Sequence, residues 1–311
     1  MTPRHQSGIR YVLTEVDLPV AAPAPLRVFD LAGLGVDAAR FLAELTPSFA
    51  RLGWDWYDVQ REQVAMLTRI FPAEADRLQD FLVRYWQGET TVIEVVDLIR
   101  ALDWRDRMAF DQLRSYRRRS IAAFQLTNRH TETWERQWRV IRTECHGFSQ
   151  DVPDDDPRSV ERVFDPTAHE LVAHPEFQRL LVGVAEMTED AESEAGRTID
   201  AISLTFHEMG MVARPGRAPT NAPEGFHQDG SDYIVSALVV QRTNVTGGES
   251  QVTDAERHPL LTITLQPGQG IFQADAGSPL WHNVTPVRMV KPEAGDGIRN
   301  ILGFDVQVHR G

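Results

Sequence analysis

The sequence predicts an α+β protein in which a helical N-terminal part leads into a β-rich sandwich or barrel. Two observations predict it. Between residues 36 and 102 apolar side chains recur at three- and four-residue steps, the period of a helix packed on one side. After Thr198 they come instead in short β-branched or alternating runs, cut by Gly, Pro and Asn turns. Many short strands after a helical lead suit sheets packed against helices. The expected division is a helical N-terminal extension over 1–104 and a β domain over 105–311.

Residues 1–30 are Pro- and Ala-rich without periodicity and read as an extended lead-in. Phe41, Leu42, Leu45, Phe49 and Leu52 then start the helical rhythm. Val64, Leu67, Ile70 and Phe71 continue it, followed by Leu78, Phe81, Leu82, Tyr85 and Trp86, with Pro72 and Gly88 as punctuation. Three or four helices are expected there. The tryptophans at 54, 56, 86, 104, 134 and 138 read as core or interdomain packing. Texture changes near Asp111, and 116–127 and 137–143 read as strands. An acidic, proline-bearing loop follows at 151–157. Residues 170–191 form an amphipathic helix carrying Leu171, Phe177, Leu180, Leu181, Val184 and Met187 on one face. Strands are expected at 199–213, 233–242, 260–266, 270–274 and 300–308.

Composition narrows the function classes. With 311 residues, 42% of them hydrophobic and 25% charged, the chain can bury an ordinary globular core. A net charge of -13 repels phosphate backbones, so nucleic acid is not an expected partner. The one dense basic run, Arg117, Arg118 and Arg119 with Arg114 before it, suits a solvated face or a carboxylate-binding patch. Cys145 is the only cysteine, which excludes an internal disulfide and cysteine-ligated metal sites. The first residues lack the layout of a signal peptide, and no apolar stretch reaches the roughly 18 residues needed to span a bilayer. A cytoplasmic protein without a membrane partner is expected.

The segment Glu224-Gly-Phe-His-Gln-Asp-Gly carries the chemistry. Residues two apart in an extended strand point to one side, so His227 and Asp229 project together. Gly225 and Gly230 flank them and permit turns. A second histidine, His282, stands in Leu280-Trp-His-Asn-Val-Thr-Pro, beyond several strand-like segments. Two histidines and a carboxylate on one face, with adjacent positions open, form the donor set of non-haem iron(II) oxygenases. Arg299, in Gly297-Ile-Arg-Asn-Ile-Leu, adds a guanidinium suited to two-pronged carboxylate binding, such as the far end of 2-oxoglutarate.

These stretches resemble the bacterial iron(II), 2-oxoglutarate-dependent dioxygenases that hydroxylate free amino acids, among them the isoleucine 4-hydroxylases. The likeness spans about residues 105–308. It also takes in Asn244-Val-Thr-Gly-Gly-Glu-Ser, His282-Asn-Val-Thr-Pro-Val and Asp111 with Arg117–Phe124. It implies a double-stranded β-helix (jelly roll, cupin-like) core behind the helical N-terminal extension. It also implies iron ligation by His227, Asp229 and His282, cosubstrate binding by Arg299, and O2 as oxidant. Two departures stand out: about a hundred helical N-terminal residues without counterpart, and Asn300 where an aspartate is expected. The carboxylate ligand argues against halogenation, since related halogenases lack it to make room for halide.

The expected reaction is oxidation of an unactivated C–H bond of a small free amino acid or derivative, chiefly hydroxylation with release of succinate and CO2. One alternative keeps the cofactors and gives desaturation or ring closure of a specialised amino acid in natural-product biosynthesis. Another is a non-catalytic cupin-like metal-binding module. Arg117 and Arg119 share a strand face, and either can hold a substrate carboxylate or serve as a structural arginine. Glu224 and Asp232 flank the motif as partners for an ammonium or as loop support. His207, with Glu208, sits in a strand that can line the same cavity, while Trp281 reads as packing. The partner expected is an amino-acid substrate, with the assembly open to a homodimer.

Overall fold

The computed structural model describes residues 22–130, 136–145, 147–150 and 156–310. The lead-in before 22, Trp134 and the loop segment 151–155 lie outside the described residues. The first strand, β1 (Leu26–Asp30), falls where the sequence reads as lead-in. The helix α1 (Ala38–Leu45) and the two-residue strand β2 (Gly53–Trp54) follow. Next come α2 (Trp56–Ile70), α3 (Ala75–Trp86), α4 (Val96–Ala101) and α5 (Trp104–Asp111). Three of these helices begin on an aspartate whose side chain accepts a backbone N–H of the first turn: Asp37, Asp55 and Asp103.

The long strands β3 (Arg117–His130) and β4 (Arg136–Thr143) form a hairpin, and β5 (Asp165–Pro166) adds in parallel to β3. The helix expected over 170–191 is split into α6 (His169–Val172) and α7 (Pro175–Glu194). Pro175 explains the break: it lacks an N–H and suits only the first helical position, with His174 capping. The remaining strands are β6 (Ile199–Ala213), β7 (Tyr233–Thr243), β8 (Val245–Gly247), β9 (Ser250–Thr253), β10 (Pro259–Ile263), β11 (Gln269–Ala274), β12 (Trp281–Val284), β13 (Val287–Met289) and β14 (Gly297–Arg310).

The main sheet runs β1-β11-β7-β14-β6-β3-β2, with β4 and β5 attached to β3. Two small sheets, β10-β9-β12 and β13-β8, complete the double-stranded β-helix. On β6, Leu204 and Phe206 point toward α7, where Phe206 meets Phe177 at 4.8 Å and Phe304 at 5.2 Å. Alternation turns His207, Met209 and Met211 the other way, into the sandwich. One core unites β1, α1, α7 and both layers of strands, so residues 26–52 belong with the β domain. A second core lies among α2 to α5, built from Leu67, Leu78, Phe81, Trp86, Leu98 and Phe110. Trp86 and Trp138 are buried as expected. Trp56 and Trp104 are surface residues, 68% and 69% exposed, which corrects their reading as packing. Trp54 is half-buried beneath Arg118, which also donates to the carbonyls of Ala50 and Leu52. Among the described residues no helix is long and apolar enough to cross a membrane.

Candidate active site

His227, Asp229 and His282 converge, with one ligand atom from each within 4.8 Å of the others. The convergence does not come from a strand through His227 and Asp229, as the spacing suggested. His227 instead makes one isolated bridge to β12, donating to and accepting from the His282 backbone at 3.0 and 3.1 Å. Both flanking glycines take positive φ, +80° at Gly225 and +97° at Gly230, so the segment turns at each end. Asp275, fully buried after β11, then accepts the backbone N–H groups of Asp229, Gly230 and Ser231 at 2.9, 2.8 and 3.1 Å. Gln228 points away from the histidines and donates to the carbonyls of Asp275, Ser278 and Leu280. These contacts clasp the motif to the β11–β12 turn and hold the two imidazoles at a centroid distance of 4.2 Å.

The ring orientations are set by neighbours. His227 Nδ1 donates to the Gly225 carbonyl at 2.9 Å, leaving Nε2 facing Asp229 Oδ1 at 3.4 Å and Glu224 Oε1 at 3.2 Å. His282 Nε2 faces Asp229 Oδ2 at 3.4 Å, and its Nδ1 lies 4.0 Å from Asp275. Burial works against protonating His227, but the bond to Asp229 and the charges of Asp229 and Glu224 outweigh it and push the imidazole up to about 9. Gln150 donates to Asp229 Oδ1 at 2.6 Å. Nothing in their local sequence marked Asp275, Gln228 or Gln150 for this site.

Arg299 lies on the sandwich-facing side of β14, the side that also carries Gly303 and Asp305. It is 0% exposed, and among the described residues none of its three guanidinium nitrogens has a partner. Burial first, and then the nearby Arg242, pull its pKa down to about 9, so it stays charged at neutral pH. Gly248 makes room for it: a Cβ there would meet Arg299 Nε at 2.9 Å, and φ of +64° suits glycine alone. Asn300 faces the other side of the strand and donates to Gln241.

The triad opens into a cavity of about 900 Å3 roofed by α2 and α3. Arg117, Arg119, His207 and Glu224 all line it. Arg117 is already compensated by Asp55 and Asp58, at 3.3 Å each. Arg119 donates to His207 Nδ1 at 3.1 Å, and His207 Nε2 in turn donates to Asp305 at 2.8 Å. Burial, and then the charge of Arg119, hold the His207 pKa below its ordinary 6.5. Glu208 is on the opposite face, accepting from Ser48 and Ser120. Asp232 does not join the others. It accepts from the Val308 backbone and pairs with Arg310, outside the cavity lining. Trp281 is half-buried under Arg257. A second acidic group, Asp254, Glu256 and His258, belongs to the β9–β10 turn, where Asp254 accepts from His258.

The donor set suits iron(II): two imidazole nitrogens and one carboxylate, with an open side toward the cavity. A buried cation without a counter-charge suits the far carboxylate of a dicarboxylate. The profile of the 2OG-Fe dioxygenase family matches residues 103–305. No curated protein sequence matches the chain. Among solved structures, the chain is similar to a bsmA homologue from Methylobium petroleophilum, at 22% identity over 61% of this chain and 71% of that one, TM-score 0.48. It is also similar to IDO from Bacillus thuringiensis, at 16% identity over 63% and 79%, TM-score 0.47. A third is the Fe(II)/α-ketoglutarate-dependent dioxygenase TqaL, at 16% identity over 80% and 89%, TM-score 0.44.

Proposed function

Because the chain belongs to the 2OG-Fe dioxygenase family and so works with iron(II), 2-oxoglutarate and O2, we propose that it hydroxylates a C–H bond of an amino acid or amino-acid derivative. In this reading His227, Asp229 and His282 hold the iron, and Arg299 holds the far carboxylate of 2-oxoglutarate. The supporting observation is the pairing of a converged donor triad with a fully buried, unpartnered guanidinium. When bound, the metal and cosubstrate supply the oxidising power, as 2-oxoglutarate and O2 become succinate and CO2 and one oxygen enters the substrate as hydroxyl.

The chain's own residues do the positioning. Gly225 and Asp275 fix the ring of His227 and the turn after it, which holds the donor side chains together ahead of a metal. The roof of α2 and α3 limits water over the open side. Arg119 and Glu224 place both signs of charge beside the triad, which suits a zwitterion's carboxylate and ammonium groups. The test is succinate release by the iron-loaded chain over a panel of amino acids and their N- or C-terminal derivatives. Release should depend on one member of the panel and be lost in Asp229→Ala. Equal release by Asp229→Ala, or none from any member, counts against the reading. Product mass then decides the outcome: a gained oxygen means hydroxylation, and two lost hydrogens mean desaturation or ring closure.

A further inference from the structure

The cavity is larger than a free amino acid requires. Even if each heavy atom took as much room as a water molecule, roughly 30 Å3, an amino acid of isoleucine's size would fill no more than about a third of the 900 Å3. The space runs on from the triad to the helical roof, and two cations stand along it. Arg119 comes from β3 and Arg162 from the segment before β5. Each guanidinium lies 5.3 Å from the ring centroid of Phe148, so both stand over the same aromatic ring. Arg119 also lies 4.4 Å from Phe164, and Arg162 lies 5.4 Å from Trp86.

Neither cation is neutralised by direct contact; Asp55, and for Arg162 also Glu224, act from beyond ion-pair distance. Arg117 and Arg158, in the same wall, pair with Asp55, Asp58 and Asp156. Among the described residues Arg119 and Arg162 form no ion pair. Arg162 is only 8% exposed, and its Nε and Nη2 have no partner among the described residues. Arg119 gives one N–H to neutral His207 and leaves Nε unpartnered. Two like charges held close in a partly dry, aromatic-walled space repel each other, and burial together with Arg119 pulls Arg162 down to about 10. Such an arrangement costs stability unless an anion completes it.

We propose that Arg119 and Arg162 jointly bind the carboxylate of an organic acid larger than a free α-amino acid, its apolar body lying against Phe148, Phe164 and Trp86. This rests on the hydroxylase reading of the triad and names the substrate class for it. The unpartnered guanidinium nitrogens, Nε and Nη2 of Arg162 and Nε of Arg119, leave both side chains free to turn charge-assisted bonds toward the anion. The reacting carbon then sits at the triad end of the cavity.

The test is a calorimetric titration of the full chain with 4-phenylbutyrate, its uncharged amide, and isoleucine. It is run on the metal-free protein and again with manganese(II) and 2-oxoglutarate. The acid should bind at least tenfold tighter than the amide and than isoleucine. Arg162→Gln and Arg119→Gln should each weaken the acid tenfold or more, while Arg162→Lys recovers part of the loss. Equal binding of acid and amide by the wild-type chain, or no binding of the acid, overturns the proposal without needing any variant to fold. Because the metal-free titration stands alone, failure to take up 2-oxoglutarate would count against the cosubstrate assignment and not against this site.

Discussion

A guanidinium with 0% exposure and three unpartnered nitrogens is costly to keep in a strand. Replacing a buried, uncompensated charge by an apolar side chain of similar size commonly stabilises a protein by about 1–4 kcal/mol. Arg299→Met should therefore raise the urea midpoint of the ligand-free chain. A lower midpoint would mean that the cation has a partner in the polypeptide. His207 gives a pH-dependent counterpart. Its pKa is held below 6.5 in the fold, so the unfolded chain takes up protons there first. Its contribution to stability is present above 6.5 and is lost as pH falls through the depressed value. His207→Gln should flatten the stability curve on the acid side of 6.5, measured by denaturation between pH 5 and 7. Equal slopes would contradict the neutral imidazole placed between Arg119 and Asp305.

At the scale of elements, the turn between β11 and β12 does as much for the site as the motif it holds. Asp275→Ala would leave three backbone N–H groups without their acceptor, at roughly 1–3 kcal/mol for each that water does not reach. A loss of about 3 kcal/mol is expected by urea denaturation, with weaker metal uptake; a loss below 1 kcal/mol would show that the clasp is dispensable. This also shows where the sequence is readable. The long periodic elements, α7 and β6, stand out because one face of each meets a continuous core. The three- to five-residue strands β1, β8, β9, β12 and β13 do not, because too few residues exist to show a period and pairing partners come from far along the chain. Site residues divide in the same way. His227, Asp229, His282 and Arg299 are recognisable by type and order. Asp275, Gln150 and Arg162 acquire a role only from tertiary contact. Asp232 is three residues from Asp229, yet the turn at Gly230 directs it to Arg310.

For the whole molecule, the helical part and the β domain meet through charge as well as packing. Asp58, fully buried on α2, faces Arg117 on β3 at 3.3 Å. Without Arg117 the buried Asp58 keeps Arg61, at 3.0 Å, so the cost should come near, but not above, the low end of about 3 kcal/mol for a buried pair broken outright. Arg117→Ala should therefore destabilise the chain by that order and speed amide exchange in α2 and α3 before the β sandwich. Uniform exchange would mean that the two cores unfold as one. A loosened roof would also raise water access to the triad.

All of this depends on the proposal that His227, Asp229 and His282 hold one metal ion and Arg299 the cosubstrate. The most direct measurement is an anaerobic titration of 2-oxoglutarate into the full chain, with and without iron(II), for wild type, Asp229→Ala and Arg299→Ala. One equivalent should bind to wild type only when iron is present. Asp229→Ala should lose the iron and the cosubstrate together. Arg299→Ala should keep the iron but bind 2-oxoglutarate more weakly by about 1.5–3 kcal/mol, roughly ten- to 150-fold. Unchanged cosubstrate affinity in Arg299→Ala, or full iron occupancy in Asp229→Ala, would contradict the account.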